Sequence, residues 1–153
     1  MRLNQILHKS IYTSGLTGFI GKNLLPGLLE QYDHVLNFHR DNKATIHTKN
    51  YQKSINVSQK LIKTYNSKHL IHLATHYRPH SKSLNELEET IQSNVTFILN
   101  LIETYLPKEI EIINISSYMQ LLDIKYQNTY SLSKEIINIY LKDNKFRHKN
   151  IYL

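Results

Sequence analysis

The chain has 153 residues, 41% of them hydrophobic, and its 19 Lys and Arg against 12 Asp and Glu give a formal net charge of +7. That length supports one domain with a real core, since a chain of this size buries roughly 68–70% of its unfolded surface. Lack of cysteine excludes a disulfide framework, a thiolate metal site and a cysteine nucleophile, and no window approaches about 18 uninterrupted apolar residues, which excludes a transmembrane helix.

Met1 to Ser10 lacks the long apolar run and small-residue cleavage site of a signal peptide, so a soluble, cytoplasmic protein is expected. The lysines are spread along the chain without a block of about five or six like charges. Its 11 tyrosines show no basic-aromatic interleaving. Neither nucleic acid nor a membrane is an expected partner.

Short apolar segments then alternate with longer amphipathic ones. Ile11-Tyr12-Thr13 reads as a strand and 20–31 as a helix that Pro26 should bend. His34 to Phe38 is a second strand, 55–65 an amphipathic segment, and His69 to Ala74 a further strand. The longest helix is 83–105, where Leu84, Leu87, Ile91, Val95, Ile98, Leu99 and Ile102 recur at three- and four-residue steps. Ser83 and Glu86 make a capping box at its start, and Pro107 marks its stop. Glu111 to Ser116 is a strand, 129–142 a helix, and Asn150 to Leu153 the beginning of another strand.

This alternation predicts an α/β fold. A parallel neighbour requires a crossover, and the helix is the usual crossover, so the pattern describes a doubly wound parallel sheet with helices on both faces. No linker divides the chain, which makes 1–153 a single domain ending early in a sixth strand.

Three of the four glycines fall in Gly15-Leu16-Thr17-Gly18-Phe19-Ile20-Gly21, between a strand and a helix. Gly15 can make the tight turn, Gly18 lets the backbone approach a pyrophosphate, and Gly21 permits close helix packing. The helix N-terminus then offers free N–H groups and the positive end of its dipole to the phosphates. With Ser14 in front, the stretch resembles the Thr-Gly-x-x-Gly-Phe-Ile-Gly signature of extended short-chain dehydrogenase/reductases, Ser14 standing at the Thr. The resemblance implies a Rossmann-like fold, cofactor contacts at Gly15, Thr17, Gly18, Phe19, Ile20 and Gly21, and epimerisation, dehydration or reduction of a nucleotide-activated sugar.

In NAD enzymes of this architecture an acid about 20 residues beyond the glycines holds the adenosine ribose. Here Asn37-Phe38-His39-Arg40-Asp41 puts Phe38 or His39 at that place. Arg40 follows, a side chain suited to a 2′-phosphate, so NADP is expected; NAD stays open through Asp41. The resemblance also implies cofactor roles for Asn56 on the adenine side, for Leu73, Ala74 and Thr75 at the fourth strand end, and for Asn94 in the long helix. Asn94 is polar within an apolar stretch, which suits a residue satisfying buried backbone.

Tyr130 and Lys134 stand four residues apart, on one helix face. A nearby Lys⁺ stabilises phenolate and can bring the Tyr130 pKa from about 10 toward neutrality, the requirement for an acid/base. The position of the pair resembles the family's Tyr-x-x-x-Lys, which implies catalytic Tyr130 and Lys134, both also touching cofactor. Ser116-Ser117-Tyr118-Met119-Gln120 resembles a Gly-Thr-x-Trp-Gln segment of enzymes making dideoxyhexoses, which implies Ser117 as the third catalytic residue, with Ser116 as the alternative. Only 12 residues separate Ser117 from Tyr130, so the intervening loop reads as trimmed.

His69, His72, His76 and His80 lack the carboxylates or cysteines of a metal centre, and none is expected. His76 and Arg78 follow the fourth strand, where a substrate phosphate could be met. The resemblance covers about half of the family's usual length, without its substrate lobe. Two outcomes are therefore carried forward: a truncated enzyme on a nucleotide sugar, or a non-catalytic nucleotide-binding remnant. A homodimer through 83–105 and 129–142 is also implied.

Overall fold

The computed structural model describes residues 9–122 and 128–153. Its elements are β1 (Ser10–Ser14), α1 (Phe19–Gln31), β2 (His34–Phe38), β3 (Lys43–His47), β4 (Gln52–Asn56), α2 (Gln59–Tyr65) and β5 (His69–His72). There follow α3 (Leu84–Ile91), a π-helical turn (Gln92–Thr96), α4 (Phe97–Tyr105), β6 (Glu111–Ser116), a 3-10 turn (Tyr118–Leu121), α5 (Thr129–Asp143) and β7 (Arg147–Tyr152).

One seven-stranded sheet runs in the order β4-β3-β2-β1-β5-β6-β7. β1 pairs in parallel with β2 and β5, β5 with β6, and β6 with β7. This is the doubly wound, Rossmann-like arrangement that the alternation predicts. The order reverses at β1, which opens a crevice at the carboxyl ends of β1, β2 and β5.

Helices cover both faces. On one, Ile98, Ile102, Ile137 and Leu141 from α4 and α5 pack with Tyr12, Leu36, Leu70 and Ile112 of the sheet, all essentially inaccessible. Each such side chain contributes roughly 1.5–3 kcal/mol on leaving water. On the other, Leu28 of α1 packs with Ile11, Val35 and Leu73. α1 continues through Pro26 without interruption.

Five details differ from the sequence expectations. The parallel sheet carries an antiparallel hairpin: β2 pairs with β3, and β3 with β4, in opposite directions. Asn42 at φ 59° makes the reversal between β2 and β3, and Thr48 accepts hydrogen bonds from the backbone N–H of Asn50 and Tyr51 in the next turn. The segment 55–65 is accordingly two elements, the end of β4 and the separate helix α2 with Ser58 as its cap.

The long helix is interrupted by its π-helical turn, which widens one turn and rotates the apolar stripe. Leu84 and Leu87 are therefore exposed, while Val95, Ile98 and Ile102 are buried. Ser83 still caps α3 by accepting from the Glu86 N–H, but the Glu86 carboxylate reaches Lys82 N rather than closing a box on Ser83. Lastly, the final strand begins at Arg147, is the seventh, and pairs along the whole of β6 from Glu111↔Arg147 to Ser116↔Tyr152. Among the described residues, no helix is long and apolar enough to cross a membrane.

Candidate functional site

The turn after β1 is shaped by what surrounds it. Gly15 takes φ +84°, and a Cβ there would lie 2.4 Å from the Ala74 backbone nitrogen. At Gly21 a Cβ would lie 2.3 Å from Leu16 Cα, so the first turn of α1 seats directly on the loop. Gly18 differs: its nearest neighbour would be Gly15 O at 3.4 Å, an ordinary contact. Nothing inside the protein demands glycine at 18, and its bare face borders open space, as a site for an approaching phosphate requires.

That space is a groove of about 910 Å³. Gly15, Thr17, Gly18, Phe19, Ile20 and Gly21 form one side; Leu73, Ala74 and Thr75 form the β5 end. The first-turn N–H groups of α1 have no intrahelical partners and no acidic side chain competes for them, so an anion is favoured there. These residues fit a dinucleotide. Beyond β2, the walls are His39, Arg40, Asp41 and Lys43, with Ser54 from the hairpin and Ser93 and Phe97 from the opposite helix. Arg40 crosses the groove and donates to Ser93 Oγ at 2.5 Å, while Asp41 pairs with Lys43 at 3.0 Å. Asn56 lies at the exposed end of β4, paired with Lys43, and does not line this groove.

Past Thr75, outside the groove itself, lies α5. Tyr130 lies beside the Thr75 side chain, near enough for Thr75 to favour the phenolate. Asn94, wholly buried in the π-helical turn, accepts from His76 N at 2.6 Å and donates to His76 O at 3.1 Å and Ser133 Oγ at 3.0 Å. The β5 loop, the π-helical turn and α5 are thereby fastened together. Tyr77 packs edge-on against Tyr130, with ring centroids 4.9 Å apart.

Tyr130 and Lys134 share this corner, but their electrostatics differ from the expectation. Burial holds the Tyr130 pKa above its ordinary value, opposed by the Thr75 side chain and reinforced by Tyr77. The phenol is thus raised rather than lowered, because loss of water around it outweighs the favourable contacts. Lys134 is 1% exposed, and burial brings its pKa down to about 8. Its charge falls on His72, a fully buried imidazole held well below its usual pKa by burial first and Lys134 second. His72 Nδ1 lies 2.7 Å from Ser14 Oγ beneath the glycine loop.

Ser117 is buried and caps the 3-10 turn, accepting from Met119 N at 3.3 Å. Its own N–H donates to Gln120 Oε1 at 2.8 Å, and Gln120 Nε2 donates to Glu135 at 2.7 Å, beside Lys134 on α5. Ser116 points elsewhere, into a buried network with Asn114, Asn138 and Asn150. Tyr130, Lys134, Ser117 and Asn94 do not themselves line the groove; Thr75 links it to Tyr130. Part of the short loop between Ser117 and Tyr130, residues 123–127, lies outside the described residues.

Arg78 is engaged with Glu89 at 3.1 Å and Glu86 at 4.0 Å, while His76 lines the groove. Among the described residues no three metal-ligating side chains converge. Sequence reasoning missed Lys43, Ser54, Ser93 and Phe97. The first two come from the unpredicted hairpin, and the others from the rotated helix face.

Solved structures similar to this chain share its fold at low identity. A serine dehydrogenase from Escherichia coli matches with TM-score 0.68 and 14% identity over 94% of this chain and 80% of that one. UDP-glucose 4-epimerase from Thermotoga maritima, with UDP-glucose, matches with TM-score 0.63 and 14% identity over 94% of this chain and 54% of that one. The Bordetella bronchiseptica enzyme WbmH, in complex with NAD+, gives TM-score 0.64 and 14% identity over 94% and 55%. The chain thus spans about half the length of these two. No curated protein sequence matches it. A model of the NAD dependent epimerase/dehydratase family matches residues 11–143, and the chain belongs to that family, whose cofactor is a nicotinamide dinucleotide.

Proposed function

We propose that the chain binds NADP, and NAD less well, and serves in epimerisation, dehydration or reduction of a nucleotide-activated sugar in the cytoplasm. The observation that carries this reading is the groove walled by the glycine loop and by Leu73, Ala74 and Thr75, with the acid/base candidate Tyr130 beside Thr75 at its β5 end. The cofactor, when bound, accepts or returns hydride at a sugar carbon. Around it, Gly15, Thr17, Gly18, Phe19, Ile20 and Gly21 hold the pyrophosphate, with Leu73, Ala74 and Thr75 beneath the ribose. Arg40 stands on the adenosine side, and Asn94 braces the β5 loop. Tyr130 exchanges a proton with the sugar oxygen, Ser117 orients that oxygen, and Lys134 supports both Tyr130 and the nicotinamide ribose. NADP is favoured because the end of β2 carries His39 where an acid would hold an unphosphorylated ribose, and its carboxylate, Asp41, is paired with Lys43.

The second reading is nucleotide binding without turnover. It is favoured by Ser117 Oγ, which is engaged in capping Met119 N, and by the raised Tyr130 pKa.

Titration of the purified chain with NADPH and NADH, following ligand fluorescence, tests the common part, with Gly18→Asp placing a carboxylate where the phosphates approach. Saturable binding lost in Gly18→Asp supports it; no binding of either nucleotide overturns it. With UDP-glucose as the trial substrate, a change in nicotinamide absorbance that Tyr130→Phe abolishes favours the enzyme over the binding module.

A further inference from the structure

A second hollow, about 350 Å³, opens on the α1 side of the sheet, between that helix and the hairpin. It shares Thr17, Asn37, His39 and Ser54 with the nucleotide groove, so the two are continuous through a common wall. Its own lining adds Thr45, His47 and Gln52, closed by Leu16 and Leu25. The register explains the composition. Asn37↔Thr45, Val35↔His47, Thr45↔Ser54 and His47↔Gln52 put these side chains on one face, the face α1 covers through Val35. Lys53, opposite Ile46, alternates to the other face of the strand and also borders the hollow.

Among the described residues, no carboxylate lines this space. Two imidazoles, three hydroxyls and two amides do. His39 Nε2 lies 2.8 Å from Thr45 Oγ1 and 3.4 Å from Asn37 Nδ2, and Asn37 Oδ1 is committed to Leu16 N at 3.1 Å. In a strand, glycine loop and helix of this kind, the end of the second strand meets the adenosine ribose at its 2′-oxygen. Here that place is His39, in the wall common to both spaces, so a substituent on the 2′-oxygen enters the hollow. The side chain expected to receive it, Arg40, is turned to the far wall and Ser93.

We infer that the hollow is a phosphomonoester subsite in which His39 and His47, with Thr45, Ser54 and Gln52, receive the 2′-phosphate of a dinucleotide. A phosphomonoester offers three strong acceptor oxygens, matched by convergent ring N–H, hydroxyl and amide donors. An unphosphorylated ribose would leave these donors to water. The inference deepens the nucleotide-binding reading and, in its 2′-phosphate form, rests on it.

The test compares the full chain with His47→Leu and Thr45→Val, both outside the nucleotide groove, using NADPH, NADH and inorganic phosphate as ligands. Urea midpoints verify that each variant folds, and either variant alone is decisive. The expected result is a loss of NADPH affinity on the order of tenfold, one charge-assisted hydrogen bond, with NADH unchanged. Arg40→Gln should alter both cofactors alike. If NADPH and NADH respond equally but inorganic phosphate binds the parent and not the variants, the subsite stands and its phosphate comes from a separate molecule. Equal responses without such phosphate binding overturn it. Failure of both nucleotides to bind the parent refutes the nucleotide reading, and the phosphate arm then decides the subsite by itself.

Discussion

Asn94 holds the backbone of His76 from both sides: its Oδ1 accepts the His76 N–H at 2.6 Å, and its Nδ2 donates to the His76 carbonyl at 3.1 Å. The third bond, to Ser133 Oγ, reaches the helix that carries Tyr130 and Lys134. Asn94→Ala removes the partner of the partly buried His76 N–H and C=O together. The expected cost is on the order of 2–3 kcal/mol in urea unfolding, because unpaired buried groups lose their full solvation. Nucleotide affinity should fall as well, since Thr75 and His76 line the groove. An unchanged urea midpoint would show that the loop is held by other means.

Two glycines of the same segment should respond oppositely to alanine. Gly15→Ala adds a Cβ 2.4 Å from backbone at a positive φ, so it should destabilise strongly and abolish nucleotide binding. Gly27 lies within α1, and a Cβ there meets nothing within 4 Å. Gly27→Ala should therefore stabilise by about 0.5–1 kcal/mol through helix propensity and a less flexible unfolded chain. Paired urea curves read both; equal shifts would contradict the packing described.

The contrast between these glycines also shows what the sequence makes legible. Gly15, Gly18 and Gly21 are readable because the strand and helix on either side dictate the turn between them. Asn94 is readable because an amide within an apolar stripe needs a partner. β4 hides for the converse reason: Gln52, Lys53, Ser54 and Asn56 are exposed and polar, and only Ile55 hints at a strand. Without that hairpin, the second hollow and its histidines have no sequence signature. The π-helical turn is equally silent, since Leu84 and Leu87 continue the apolar spacing yet end up in solvent. The Tyr130 pKa depends on how much water is excluded around the ring, a property of packing rather than of Tyr-x-x-x-Lys spacing.

Lys134 gives stability a pH signature. Its folded pKa, about 8, lies below the ordinary lysine value of 10.5, so between these values the unfolded chain holds the extra proton. Stability should therefore rise with pH across that window. Below about pH 8 both states are protonated and the full penalty of the buried charge applies, on the order of 3 kcal/mol. Lys134→Met should be more stable than the parent near pH 7, and the difference should shrink toward pH 10. Urea midpoints of the two proteins at both pH values test this, the difference cancelling the tyrosines that titrate in the same range. A gap independent of pH would mean that the ammonium is solvated in the folded chain.

Leu132, Ile136 and Ile139 recur on one face of α5 and are 48%, 42% and 52% exposed, while Leu84 and Leu87 are exposed on neighbouring α3. Isoleucine and leucine at helical spacing on a solvated face suit burial against a second copy. A two-fold axis beside α3 and α5 would present the same patch from each protomer. The proposed homodimer then has a direct test in sedimentation equilibrium. The parent should show a concentration-dependent dimer, and Ile136→Glu combined with Leu132→Glu should give a monomer with an unchanged fold, because neither side chain belongs to the core. A parent that stays monomeric at every concentration rejects the α3–α5 interface. If the double variant still dimerises, the association lies on another face.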